Sequence, residues 1–92
     1  MKWRLREGQS LRMLSTDDEA VVYNDHSGDT HLVSAAAGSL LERLRQSDTD
    51  TAGLVTSWAA EWEVDADEEL ASAIQHLLAE LDGLGLIEAY LS

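Results

Sequence analysis

Cysteine, proline and phenylalanine are all missing from this chain of 92 residues. Without cysteine there can be no disulfide, no thiolate metal ligand and no thiol nucleophile, a usage that fits a reducing compartment. No apolar run approaches the roughly 18–20 residues needed to cross a bilayer. The first ten residues, MKWRLREGQS, carry basic side chains but no apolar stretch, so they do not form a secretory signal. A cytoplasmic protein without membrane partners is expected. Basic residues are scarce as well: the six (Lys2, Arg4, Arg6, Arg12, Arg43 and Arg45) all lie in the first half, and Gln46–Ser92 has eleven carboxylates with no Lys or Arg. The net charge is −12. A nucleic-acid reader needs a cationic surface to displace counterions from phosphates, and this chain offers the reverse.

What the chain does have is leucine. Fifteen Leu, five Val and three Trp lie within a hydrophobic fraction of 45%. Burying each large apolar side chain is worth about 1.5–3 kcal/mol, enough for a thin core in one domain spanning residues 1–92.

The chain is organised around Glu19–Ala37. Ala20–Asn24 (AVVYN) is β-branched and aromatic, the best strand signal present. Asn24–Gly28 is a turn in which Gly28 can take positive φ. Asp29–Val33 is the return strand, with Thr30 and Leu32 on one face and His31 and Val33 on the other. His31 is expected to face away from the helices. Upstream, Leu11–Leu14 is the expected first strand of the sheet, while Trp3 and Leu5 alternate with basic residues over one short run only. Downstream, Ser34 is a plausible N-cap for a helix carrying Ala37, Leu40, Leu41 and Leu44. Ser47–Asp50 offers caps for a second helix with Leu54, Val55, Trp58 and Trp62 as its stripe. A third helix is expected over Ala66–Leu84, opened by an Asp65/Glu68 capping box and stopped by Gly83 or Gly85. Its buried side would carry Leu70, Ile74, Leu77, Leu78 and Leu81. The tail Leu86–Leu91 is apolar enough to pack back on the domain. Three strands followed by three helices predict an α+β fold, a three-stranded antiparallel sheet with helices on one face.

Catalytic chemistry finds little support. His26, His31 and His76 lack the close spacing of zinc ligands, and rim histidines are the simpler reading, so no metal or cofactor is expected. Ser39 in AGSLL is not a nucleophile elbow, and Gly38-Ser39 reads as small residues admitting a close neighbour. The adjacent carboxylates Asp17/Asp18 and Glu68/Glu69 would splay apart instead of sharing a proton. Acyl carrier proteins place a serine in Asp-Ser-Leu at a helix start, whereas Ser39 follows Gly38. A winged helix reading DNA would need cations on its third helix, which here carries Asp67, Glu68, Glu69, Glu80 and Asp82. No enzyme and no nucleic-acid partner are expected.

An edge strand offers more. In a three-strand meander Asp29–Val33 has one neighbour, and its open backbone groups can accept an added peptide strand or pair with a second copy as a homodimer. No Pro or Lys blunts it. Leu70, Ile74 and Leu77 could wall a groove beside it, although Ile74 and Leu81 read more simply as core.

The runs EAVVYNDHSGDTHLVSAAAGSLLERL, DTAGLVTSWAAEW and DEELASAIQHLLAELDGLGLIE resemble the PqqD-like peptide chaperones, the RiPP recognition elements, and most of all the subgroup associated with HPr-kinase-related proteins. The resemblance spans roughly Leu11–Glu88, and its most specific parts are Val21–Tyr23, Ser27–Leu32 and Leu84–Glu88. It implies a winged-helix-like three-helix bundle after the sheet. It also implies a non-catalytic role in natural-product biosynthesis, in which the leader of a precursor peptide binds as an added strand and is presented to a modifying enzyme. By position, the contact strand would be Asp29, Thr30, His31, Leu32 and Val33, and the contact helix Glu68–Leu81, with Leu70, Ile74 and Leu77 as pockets. A third helix without Lys or Arg suits a leader with apolar anchors and some basic character. The second expectation is a regulatory adaptor that docks a folded kinase-like partner on its acidic helical face.

Overall fold

In the computed structural model, which describes residues 1–8, 10–25 and 27–91, the chain folds as five strands and three helices. Strands β1 (Lys2–Leu5), β2 (Leu11–Ser15), β3 (Glu19–Asn24) and β4 (Thr30–Ser34) come first. Helices α1 (Ala35–Gln46), α2 (Thr51–Trp62) and α3 (Glu68–Gly83) follow, and β5 (Ile87–Tyr90) closes the chain. The expected α+β fold is present: β2, β3 and β4 form a three-stranded antiparallel sheet in that order, followed by three helices.

The β-branched run in β3 makes it the central strand, paired with β2 from Leu11↔Asn24 to Ser15↔Ala20 and with β4 from Glu19↔Ser34 to Tyr23↔Thr30. Alternation then sorts its two faces. Ala20, Val22 and Val33 are buried against the helices, while Leu14, Val21 and Leu32 stand exposed on the outer face. The turn before β4 uses Gly28 at φ +81°, a left-handed conformation that glycine adopts without a Cβ clash.

Helix α1 begins directly at the end of β4. Ser34 caps it, its hydroxyl accepting from the Ala37 amide at 3.1 Å. Gly38 lets α1 lie close on β3, since a Cβ there would come within 2.7 Å of the Ala20 Cβ. Leu40, Leu41 and Leu44 of α1 are buried with Leu54, Ile74, Leu78, Leu81, Leu86 and Ile87 in one continuous core. Asp50 caps α2, accepting from the Gly53 amide at 2.7 Å.

Several sequence expectations are corrected. The N-terminal run is a strand, but it does not join the hairpin. β1 pairs antiparallel with β5 in a separate two-stranded sheet, Lys2↔Tyr90 to Leu5↔Ile87, so the apolar tail packs back as a strand. Trp3 also bridges Thr49 on its other side. The Arg4 guanidinium donates twice to Glu88, at 2.8 and 3.1 Å, and lies over the Tyr90 ring. The Tyr90 hydroxyl donates to Asp48 at 2.8 Å, a bond that holds the phenol above its ordinary titration range. Helix α3 starts at Glu68, not at Ala66, and Asp67 caps it alone by accepting from the Leu70 amide at 2.9 Å. Leu84 lies outside the helix as its C-cap, and Gly85, at φ +77°, turns the chain toward β5. The contact strand begins at Thr30, with Asp29 just before it.

Candidate functional site

The orientation of β4 is the second correction, and it bears on function. His31 and Val33 do share a face, but it is the core face: in register they stand opposite Val22 and Ala20, both buried. Val33 is buried and His31 half-buried at the margin. Leu32, 65% exposed, is the residue that faces away from the helices. Alternation within one sequence says which residues share a face, and the buried neighbours on β3 decide which face meets the core.

Backbone bonds divide β4 in the same way. The bond from the Asn24 amide to the Asp29 carbonyl (2.9 Å) and that from the Ala35 amide to the Asp18 carbonyl (3.2 Å) flank the β3–β4 ladder. In an antiparallel pair, bonded and non-bonded residue pairs alternate. His31 and Val33 therefore spend their N–H and C=O on Val22 and Ala20. Thr30 and Leu32 turn theirs outward, where none of the described residues bonds them.

The other edge of the sheet is covered at one end. By the same alternation, set by the bonds from Asp25 N–H to Ser10 C=O and from Thr16 N–H to Glu19 C=O, Leu11 of β2 points its carbonyl outward. Arg45 donates to that carbonyl at 2.6 Å, and a charged side chain on an edge hinders strand addition. Farther along β2, Met13 and Ser15 turn their backbone groups outward as Thr30 and Leu32 do on β4, and among the described residues no charged side chain is bonded to the β4 backbone. On the outer face beside it, Leu14, Val21 and Leu32 line up across the sheet as an exposed apolar row.

The remaining residues named from the sequence divide clearly. Asp29 and Thr30 are exposed, while Leu70 and Leu77 are half-buried with one side available. Ile74 is 1% exposed and belongs to the core with Val33, so neither can offer a side-chain contact without opening the core. Leu77 borders an open concavity along α3 with Ala73 and His76, about 550 Å³ in volume. His76 is exposed, and His26 lies outside the described residues. Among the described residues no three His, Cys, Asp or Glu side chains come together in a way that could hold a metal ion. Among the described residues no helix is long and apolar enough to cross a membrane.

A deeper apolar cavity of about 430 Å³ was not foreseen. Ala35, Ala36 and Ser39 of α1 form one wall, Trp58 and Trp62 of α2 another, and Val64 and Leu70 the rest. Ala35 follows the last residue of β4, so one wall of the cavity begins where that strand ends. The helical spacing of Leu54, Val55, Trp58 and Trp62, at i, i+1, i+4 and i+8, suggests a single apolar stripe. Helix α2 instead buries Leu54 and Val55 and leaves Trp62 57% exposed, stacked on half-buried Trp58 with ring centroids 5.9 Å apart. The signal in the sequence was the second Trp itself, too large to be buried on a helix that ends at Trp62.

Comparison with known proteins adds two findings. The family model described as Coenzyme PQQ synthesis protein D (PqqD) matches residues 19–87, from β3 to the start of β5. The solved structure of TbiB1 in complex with the TbiA(beta) leader peptide matches with a TM-score of 0.69 and 19% identity, covering 97% of this chain and 99% of that chain. At that identity the likeness is one of fold. No curated protein matches.

Proposed function

The chain belongs to the PqqD family, and from that premise we propose that it is a non-catalytic peptide chaperone that binds the leader segment of a ribosomally made precursor peptide. The leader adds as a strand beside β4 and is presented to a partner protein, a modifying enzyme or an HPr-kinase-related protein. The observation that carries this reading is the open edge itself: Thr30 and Leu32 turn their backbone groups outward on a strand to which, among the described residues, no charged side chain is bonded. That a protein of the same fold has been solved with a leader peptide bound supports it.

Main-chain bonds to Thr30 and Leu32 would supply affinity that is indifferent to peptide sequence, and neighbouring side chains the selectivity. On β4, Thr30 and Leu32 turn their backbone groups toward the peptide, and on α3 the half-buried Leu70 and Leu77 keep surface for its apolar side chains. Asp29, His31, Val33 and Ile74 then act by shaping the edge.

The test is binding of the precursor peptide encoded beside this gene, followed by fluorescence anisotropy. Leu32→Pro removes an outward donor and places a pyrrolidine ring against the incoming strand, at a position where an edge tolerates proline. Affinity should fall about tenfold or more while the domain stays folded. Unchanged affinity in a folded Leu32→Pro variant would overturn strand addition at β4.

A further inference from the structure

We propose that the tryptophan-walled cavity between α1, α2 and α3 is an anchor site for a bulky apolar side chain of the bound peptide, and that the carboxylates beside it select a Lys or Arg close by in the same peptide. The inference rests on the peptide-binding reading and goes further, by naming which peptides bind.

The cavity has the make-up of a binding hot spot. Its walls are almost wholly apolar, and its largest side chain, Trp62, is more than half exposed beside Val64, 51% exposed. Stacked, solvent-facing Trp side chains are unfavourable in an unbound surface and enriched where partners dock. About 430 Å³ is room for a Leu, Phe, Tyr or Trp side chain. Its α1 wall begins where β4 ends, which places the site next to the end of the proposed binding strand.

Charge decides what stands next to the anchor. Val64 and Leu70 separate the cavity from a second concavity lined by Asp65, Asp67, Glu69 and Ala73. Asp67 is committed to capping α3. Asp65 and Glu69 are exposed and form no ion pair among the described residues, whereas Glu61, on the other side, is paired with Arg43. No Lys or Arg follows Arg45 in the chain. An acidic peptide would be repelled there, and a second copy of this chain, with a net charge of −12, is a poor occupant. A peptide pairing a large apolar residue with a nearby cation fits both surfaces.

The experiment is selection of a random peptide library, displayed on phage, against the intact chain, repeated with three variants whose fold is checked by circular dichroism. These are Trp62→Ala, the double variant Asp65→Asn/Glu69→Gln, and Leu32→Pro. The expected consensus has an aromatic or large aliphatic residue close to a Lys or Arg. Recovery of that consensus should fall about tenfold or more on Trp62→Ala, as for a central aromatic contact. The double variant should lose the preference for the cation while keeping the preference for the apolar residue. Peptides lost on Leu32→Pro but indifferent to Trp62 and to the carboxylates would overturn the anchor site and leave strand addition standing. Peptides that need Trp62 but not Leu32 would support the anchor site and contradict strand addition. A consensus without a basic residue would overturn the charge selection, and no enrichment would overturn both readings. Dimerisation of the chain in sedimentation, weakened by Trp62→Ala, would assign the cavity to a second copy and overturn the proposal.

Discussion

His31 and Leu32 are adjacent and have opposite duties. Leu32 sends its side chain to solvent and its backbone groups off the sheet, whereas His31 turns its backbone toward buried Val22. Proline at the two positions should therefore give different defects. His31→Pro deletes a ladder donor and strands the Val22 carbonyl in the core, a loss of about 1–3 kcal/mol. Urea unfolding should show that loss, while Leu32→Pro should stay within about 1 kcal/mol of the parent. A greater loss in Leu32→Pro than in His31→Pro would mean that the alternation along β4 has been assigned the wrong way round. Alternation in DTHLV was legible in the sequence, and the side that meets the helices was not. That side is fixed by Ala20 and Val22 across the ladder, and the sequence of β4 holds no record of them. The same holds for Trp62, whose exposure follows from where α2 stops, not from its spacing.

Among the elements, local chemistry carried the prediction furthest where an element is defined by its own ends. Ser34 and Asp50 cap α1 and α2 as their types suggest, and Gly28 takes the left-handed turn. At α3 three acidic residues compete for the cap, and the structure selects Asp67 over the Asp65/Glu68 box. β1 and β5 were beyond local reading, because each has four residues and its partner lies at the other end of the chain. Pairing of that kind is set by the assembled core, not by propensity. One element contact gives a direct check. α1 approaches β3 through Gly38, where a methyl group would meet the Ala20 Cβ at 2.7 Å, while Gly83 near the end of α3 has open space around it. Gly38→Ala should cost about 1–3 kcal/mol by overpacking, against a helix-propensity gain of about 1 kcal/mol. Gly83→Ala should gain about 0.5–1 kcal/mol. Thermal unfolding of the two variants, shifting in opposite directions, would verify that α1 sits on the sheet at this distance.

At the scale of the molecule, the charge is divided. No cation follows Arg45, and the paired ones serve the frame: Arg4 and Arg6 hold Glu88, Arg12 holds Asp25, Arg43 holds Glu61 and Arg45 holds Glu42. Asp65 and Glu69, exposed at the start of α3 and without an ion pair among the described residues, are left to whatever approaches that helix. The open edge and the acidic helix are thus two distinct surfaces, and a peptide strand and a folded adaptor partner would engage them differently. The measurement that separates them most directly is amide hydrogen exchange, read residue by residue by NMR, on the isotope-labelled chain with and without the precursor peptide encoded beside its gene. Strand addition predicts that the amides of Thr30 and Leu32 gain protection on binding, while those of His31 and Val33, already bonded to β3, change little. Protection gained only along α3, with Thr30 and Leu32 exchanging as before, would contradict it.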